Sequence, residues 1–211
     1  MNWRKGPIRG QLLEDMTHEL PAWCARLIAE FTASDARAEA VARTLTPDQL
    51  NWRPQPDAWS IGQCLAHLAA GNELYLEAIE ASLTRNLNTG PVQEVTPGAV
   101  SRWFIRSYLE PSAQTKRSTA PGKIRPAPIT DAAVLDRFLR TNERVRALMR
   151  RASDYDVNRI RFKNPFVSMI RFTVGTGFTI LSAHERRHLL QAERVREAMG
   201  SPQADAVRNR T

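Results

Sequence analysis

The stretch "AHERRHLLQ", residues 183 to 191, places His184 and His188 four apart. On a helix that spacing stacks the two rings one turn above another on a single face. It is the H-E-x-x-H pattern by which zinc peptidases hold two of their three ligands. A peptidase of that kind takes its third ligand from further along the chain. Here the following residues read "LLQAERVREAMG", with no histidine, and Glu193 and Glu197 lie on the same helix. Nor does any sheet-forming segment offer an edge on which a peptide could lie as an added strand. The chemistry is therefore not proteolysis, and the third ligand must come from upstream.

The chain has only four histidines. His67 shares a helical face with Ser60, Cys64, Gly71 and Tyr75, beside a leucine stripe, and points inward. His18, in "EDMTHELP", lies before the first long helix and reads as surface or local structure. A buried neutral imidazole has two ring nitrogens to satisfy, so three converging inside one bundle need a shared partner. A divalent transition metal is such a partner, and imidazole suits zinc and nickel first, with copper and iron open. Three neutral ligands leave the ion its full charge and an open position. Water there would have a pKa near ~7, and a thiol would be held as thiolate.

Other residues could serve this centre. Glu185 is the base by analogy with H-E-x-x-H, but it sits about 100° around the helix from His184. Its other reading is a pairing with Arg186, Arg187 or a neighbouring helix. Asn72 and Asn142 each interrupt an apolar stripe, either as pocket residues or as a hydrogen bond between helices. Gln191, one turn past His188, is placed to orient a ligand. Cys64, one turn before His67, is a fourth ligand or a small buried hydrophobe. Trp103 lies in the patch "AVSRWFIRSYLE", a short helix at 98 to 109 that either lids a pocket or packs outside the bundle.

Four amphipathic helices must position these groups. The first runs from about 21 to 45 and carries Trp23, Leu27, Phe31, Ser34, Ala38, Val41 and Leu45 on one face. "TLTPDQLNWRPQPDAW" is a connector. Ser60 caps a second helix to residue 83, with Ile61, Leu65, Leu68, Asn72, Leu76, Ile79 and Leu83 inward. A long Pro-, Gly- and Ser-rich connector covers 84 to 129. The third helix follows Thr130 as N-cap and ends near Arg151, with Leu135, Phe138, Asn142, Val145 and Met149 in register. "DYDVNRIRFKNPFVSMIRF" reads as a broken helical linker around Pro165. The fourth helix runs from Val174 to Met199, with Gly177, Leu181, His184, His188, Gln191, Val195 and Met199 on its stripe. No segment has strand periodicity, so the fold class is all-α, a four-helix bundle. Residues 1–20 form an N-terminal extension, 21–200 the bundle and 201–211 a flexible tail.

At 211 residues and 42% hydrophobic, the chain suits one domain. No run of about eighteen apolar residues occurs, and the N-terminus lacks an export signal's apolar segment. Cys24 and Cys64 form no disulfide framework, so a cytoplasmic setting is the simplest. The net charge of +8 raises nucleic acid as a partner. Against it, the arginines are spread along the chain, often beside acids, and no nucleic-acid-binding motif accompanies them. Neither a membrane nor a nucleic acid is an expected partner.

"RPQPDAWSIGQCLAHLAAGNELYLEAI" and "FTILSAHERRHLLQAERV" together resemble the DinB-like superfamily. The Trp-Ser ahead of the helix-two histidine and H-x-x-R-H-x-x-Q are the specific features, and the similarity runs from "TPDQLNWRP" to "QAERV". It implies a bundle, often a homodimer, with a metal held by His67, His184 and His188. It further implies either metal-dependent transfer using a low-molecular-weight thiol or hydrolysis. Three functions follow: thiol-dependent transfer to a small electrophile, hydrolysis of a small ester or amide, or metal or ligand binding without turnover.

Overall fold

The computed structural model describes residues 19–84, 90–110, 120–167 and 169–200. His18, nearly all of the N-terminal extension and the tail after Gly200 lie outside them. Helix α1 (Ala22–Ala42) buries Trp23, Leu27, Phe31, Ser34, Ala38 and Val41 of the expected stripe and ends before Leu45. The next segment is more than a connector. It holds a short helix, α2 (Pro47–Asn51), closed by a capping box in which Thr46 and Gln49 exchange side-chain and backbone hydrogen bonds. Five residues are too few to show helical periodicity, although Thr46 and Gln49 are the capping pair such a start requires.

Helix α3 (Ile61–Leu83) starts on a second capping box, Ser60 with Gln63. The short helix expected near 98–109 is α4 (Ala99–Phe104), continued by a π-helical turn over Ile105–Leu109. A 3-10 turn follows at Gly122–Ile124. Helix α5 (Val134–Ala152) begins four residues after Thr130, which is not its cap. Thr130 instead donates its N–H and hydroxyl to Asn51 Oδ1, at 2.8 and 3.1 Å, tying α2 to this segment.

The stretch read as a broken helix contains two strands, β1 (Arg161–Lys163) and β2 (Arg171–Thr173), paired antiparallel with Phe162 opposite Phe172. Asn164 Oδ1 accepts from the N–H groups of Phe166 and Val167, so the turn forms around Pro165. Each strand alternates exposed and buried over only three residues, below what a pattern reading resolves. Thr173 then caps α6 (Val174–Met199), whose bounds match the expectation.

Helices α1 and α3 each pack chiefly on α5 and α6, so α1 and α3 face one another diagonally across a four-helix bundle. The interior divides into two apolar clusters. One holds Trp23, Phe31, Tyr75, Met149 and Phe178, and the other Leu50, Leu65, Leu68, Phe138 and Leu189. Between them each long helix contributes polar groups: Ser34 and Asp35 from α1, Asn72 from α3, Thr141 and Asn142 from α5, and Glu185 from α6.

Gly177 lets the hairpin sit against α6: a Cβ there would come within 2.8 Å of the Phe162 ring and 3.1 Å of Ile79 Cδ1. Forcing a methyl into such a contact costs about 1–3 kcal/mol, offset in part by the roughly 1 kcal/mol helix propensity of alanine. Gly177→Ala is therefore expected to lower stability by about 1 kcal/mol, read as a lower urea midpoint at unchanged slope.

Candidate metal centre

His67 stands two turns into α3, on a helix whose start is fixed by Ser60, and His184 and His188 stand in the middle of α6. The packing of α3 on α6 brings the three rings together. Their centroids are 4.5–4.8 Å apart, and one ligand atom from each lies within 4.8 Å of the others. His67 is 3% exposed and His188 9%.

The hydrogen bonds decide which nitrogen each ring presents. His67 Nδ1 lies 2.8 Å from the Ile124 carbonyl, which can only accept, so Nδ1 carries the proton and Nε2 a lone pair. His188 Nδ1 lies 3.0 Å from Gln191 Oε1 and is fixed in the same way. His67 Nε2 in turn faces His184 Nε2 at 2.9 Å. Burial is the first cause that lowers the basicity of all three rings, holding His188 down to about 3 and His184 well below the usual histidine range, with the neighbouring imidazoles adding to it. Neutral rings with one ring nitrogen each gathered within 4.8 Å are the donor set of a divalent transition metal. The residues present fit that ion.

Gln191 is thus the side chain that meets His188 Nδ1. Removing a partner that fixes a ligating imidazole typically costs ~10–100-fold in metal affinity. Gln191→Leu is expected to weaken zinc binding by about tenfold or more in a chelator competition, with all three histidines intact.

The histidines open onto a cavity of about 440 Å³. Trp59 forms its wall beside them, stacked on His188 at 5.5 Å and tilted against His67 at 4.8 Å. Trp103, Phe104 and Tyr108, from α4 and the turn after it, also line it, so this segment is part of its cover. Arg186 binds Glu110 at the end of that turn and Glu30 on α1, anchoring the cover to the bundle. Arg187 also lines the cavity, one turn from His184.

Other candidates lie elsewhere. Glu185 does not line the cavity. It is fully buried, with Asn72 Nδ2 donating to Oε1 at 3.1 Å and Asn142 Nδ2 lying 3.4 Å from Oε2. Burial pushes its carboxyl up to about 8, against the hydrogen bonds it receives. Helix α6 packs on both α1 and α3, so a residue about 100° from His184 also faces the interior. Asn72 and Asn142 belong to this layer between helices, and neither is a pocket residue. Cys64 is wholly buried in the second apolar cluster, outside the ligand group, and desolvation pushes its thiol up to about 12.

Trp59, Tyr75 and Arg187 were not singled out from the sequence as site residues. Arg187 is three residues from His184, a spacing that shares a helical face, and Tyr75 is on the His67 face. Trp59 is the tryptophan of the Trp-Ser pair ahead of α3.

A histidine triad under an apolar cavity in a four-helix bundle defines the class, a bundle with a candidate metal centre. The sequence profile of the DinB superfamily matches residues 30–192, and the chain belongs to that superfamily. Its fold is similar to YfiT from Bacillus subtilis, described as a probable metal-dependent hydrolase with an unusual four-helix bundle topology. The TM-score is 0.53 at 16% identity, covering 95% of this chain and 94% of YfiT. No protein of curated function matches the chain. No helix among the described residues is long and apolar enough to cross a membrane.

Proposed function

We propose that this protein is a metal-dependent hydrolase of small apolar molecules, with zinc or nickel held by His67, His184 and His188. The observation that carries the reading is the set of three imidazoles whose ring nitrogens converge at an apolar cavity, two of them with Nδ1 held by a partner and Nε2 left as donor. The bound ion supplies positive charge and an open position at which water or a thiol loses its proton near neutral pH. The protein's own residues do the rest. Ile124 and Gln191 fix the ring orientations. Trp59 and the α4 segment exclude bulk water from the reacting end. The name given to YfiT supports hydrolysis.

Transfer of a low-molecular-weight thiol is the second reading. Among the described residues no carboxylate lines the cavity, whereas Arg187 does. Such a pocket has no acid to serve as base and favours a nucleophile that is already anionic, as a thiolate is. The homodimer that the resemblance implies belongs to the same proposal and is checked by sedimentation.

Nitrophenyl esters and anilides, incubated with the zinc- or nickel-loaded protein, test hydrolysis, and a dinitrophenyl halide with added thiol tests transfer. Ester or anilide cleavage without thiol, abolished in His67→Ala, supports the first reading. Turnover only with thiol supports the second. A metal-loaded protein inert in both assays would leave a binding role.

A further inference from the structure

The cavity reaches well beyond the histidines. Tyr75 lies on the same face of α3 as His67, eight residues or about 12 Å further along the helix axis. Its ring lines the same cavity and is held between Phe162 and Phe166, with centroids at 5.6 and 6.1 Å. The residue is only 3% exposed, yet its hydroxyl has no hydrogen-bond partner among the described residues. A buried tyrosine hydroxyl normally finds one. The enclosed polar side-chain atoms that lack a partner are Trp23 Nε1 and Asn72 Oδ1. The Tyr75 hydroxyl is not one of them, and the open space that its side chain lines is the cavity.

His67 and Tyr75 line the one cavity. Gly71, midway between His67 and Tyr75, contributes no side chain, and the His184 ring occupies that gap, with Cε1 3.3 Å from where a Cβ would be. Beyond it the walls are apolar and aromatic, including Phe172 and Ile180. Aromatic walls favour a flat, ring-bearing body, which stacks or meets them edge to face. Polar groups are few along it: the histidines and Arg187 at the metal end, and Asn164, Tyr108 and Tyr75 in otherwise apolar walls.

On the reading that the three histidines hold the metal, we propose that the Tyr75 hydroxyl is a specificity site at the remote end of the cavity. The substrate class it selects is an elongated small molecule with an apolar, ring-bearing body. The reacting bond lies at one end and a hydroxyl or carbonyl at the other. A site built to hydrogen-bond such a group rejects analogues that lack it, because its own hydroxyl would stay buried and unpaired.

The test uses zinc-loaded wild-type protein and Tyr75→Phe, titrated calorimetrically with 4-phenylbutanohydroxamic acid, whose hydroxamate seeks the metal, and with its para-hydroxyl analogue. On the wild type the para-hydroxyl should tighten binding by about three- to tenfold, the range of one net hydrogen bond. In Tyr75→Phe that gain should vanish, while the parent compound binds both proteins alike. The ligand-free melting temperature of Tyr75→Phe should not fall, because the hydroxyl lost had no partner in the protein. A fall would assign the hydroxyl a structural role and overturn the proposal. So would equal binding of the two compounds to the wild type, or a gain that persists in Tyr75→Phe, and in both cases the metal centre stands. Failure of both compounds to bind a protein that retains zinc would remove the substrate cavity as well, and failure to retain zinc would remove the centre itself.

Discussion

Asn142→Leu is expected to destabilise the protein by about 3–5 kcal/mol, although leucine has the same branching and the same number of side-chain heavy atoms. The asparagine sits at the crossing of the polar layer. Its amide donates to Asp35 Oδ1 at 2.7 Å and lies 3.4 Å from Glu185 Oε2, and its carbonyl oxygen accepts from Asn72 at 2.8 Å. Removing it takes from the Asn72 amide its shortest acceptor, leaving Glu185 Oε1 at 3.1 Å and Thr141 Oγ1 at 3.4 Å, and takes a donor from each of two carboxyls. One orphaned buried group costs about 1–3 kcal/mol, and breaking a buried charged network about 3–5. Asp35 keeps Arg146, at 2.5 Å, which limits the damage on that side. For a chain of this length each kcal/mol moves the melting temperature by about 2–4 °C, so a fall on the order of 10 °C should be seen by calorimetry. A fall no larger than that of an exposed substitution such as Arg140→Ala would show that water already satisfies these groups.

His184→Ala is expected to abolish the metal centre. Its Nε2 faces that of His67 across 2.9 Å, and both other rings lie within 4.8 Å of it, so its loss removes one of three donors. Losing only an orienting partner costs about 10–100-fold in affinity, and losing a ligand should exceed that. Elemental mass spectrometry on untagged protein should find about one equivalent of zinc or nickel in the wild type and almost none in the variant. Metal at 100 times its Kd adds about 2.7 kcal/mol to stability. A chelator should therefore lower the melting temperature of the wild type and leave that of His184→Ala unmoved. A wild type that takes up no metal from either salt would end the metal-centre reading.

The long helices were legible because their burial follows a 3.6-residue period over twenty or so residues. Every residue expected on the α3 stripe is buried, and α6 starts and ends where its pattern does. The three histidines were legible for the same reason, since each falls on or beside such a stripe. Short elements were not: α2 and the hairpin are held by local capping and by one buried phenylalanine per strand. Glu185 was hard to place because position on a helix gives direction only relative to that helix. Whether a direction 100° from the histidines meets solvent or α1 depends on packing that the period does not encode. Asn72 and Asn142 were visible as interruptions but not as a pair, since 70 residues separate them.

The polar layer also sets a mechanical tolerance. Sliding α6 along its neighbours by one turn would displace it about 5.4 Å, more than the 4.8 Å span of the whole donor set. An interior of leucine and phenylalanine alone would resist such a slip weakly, because one apolar contact replaces another at little loss. With the layer in place the same movement drives Glu185 into hydrocarbon and takes from Asn72 and Asn142 the carboxyl they share. The bundle is thereby keyed at mid-height, and the key lies on the same turn of α6 as His184, so the part of the helix that must not move is the part that is locked.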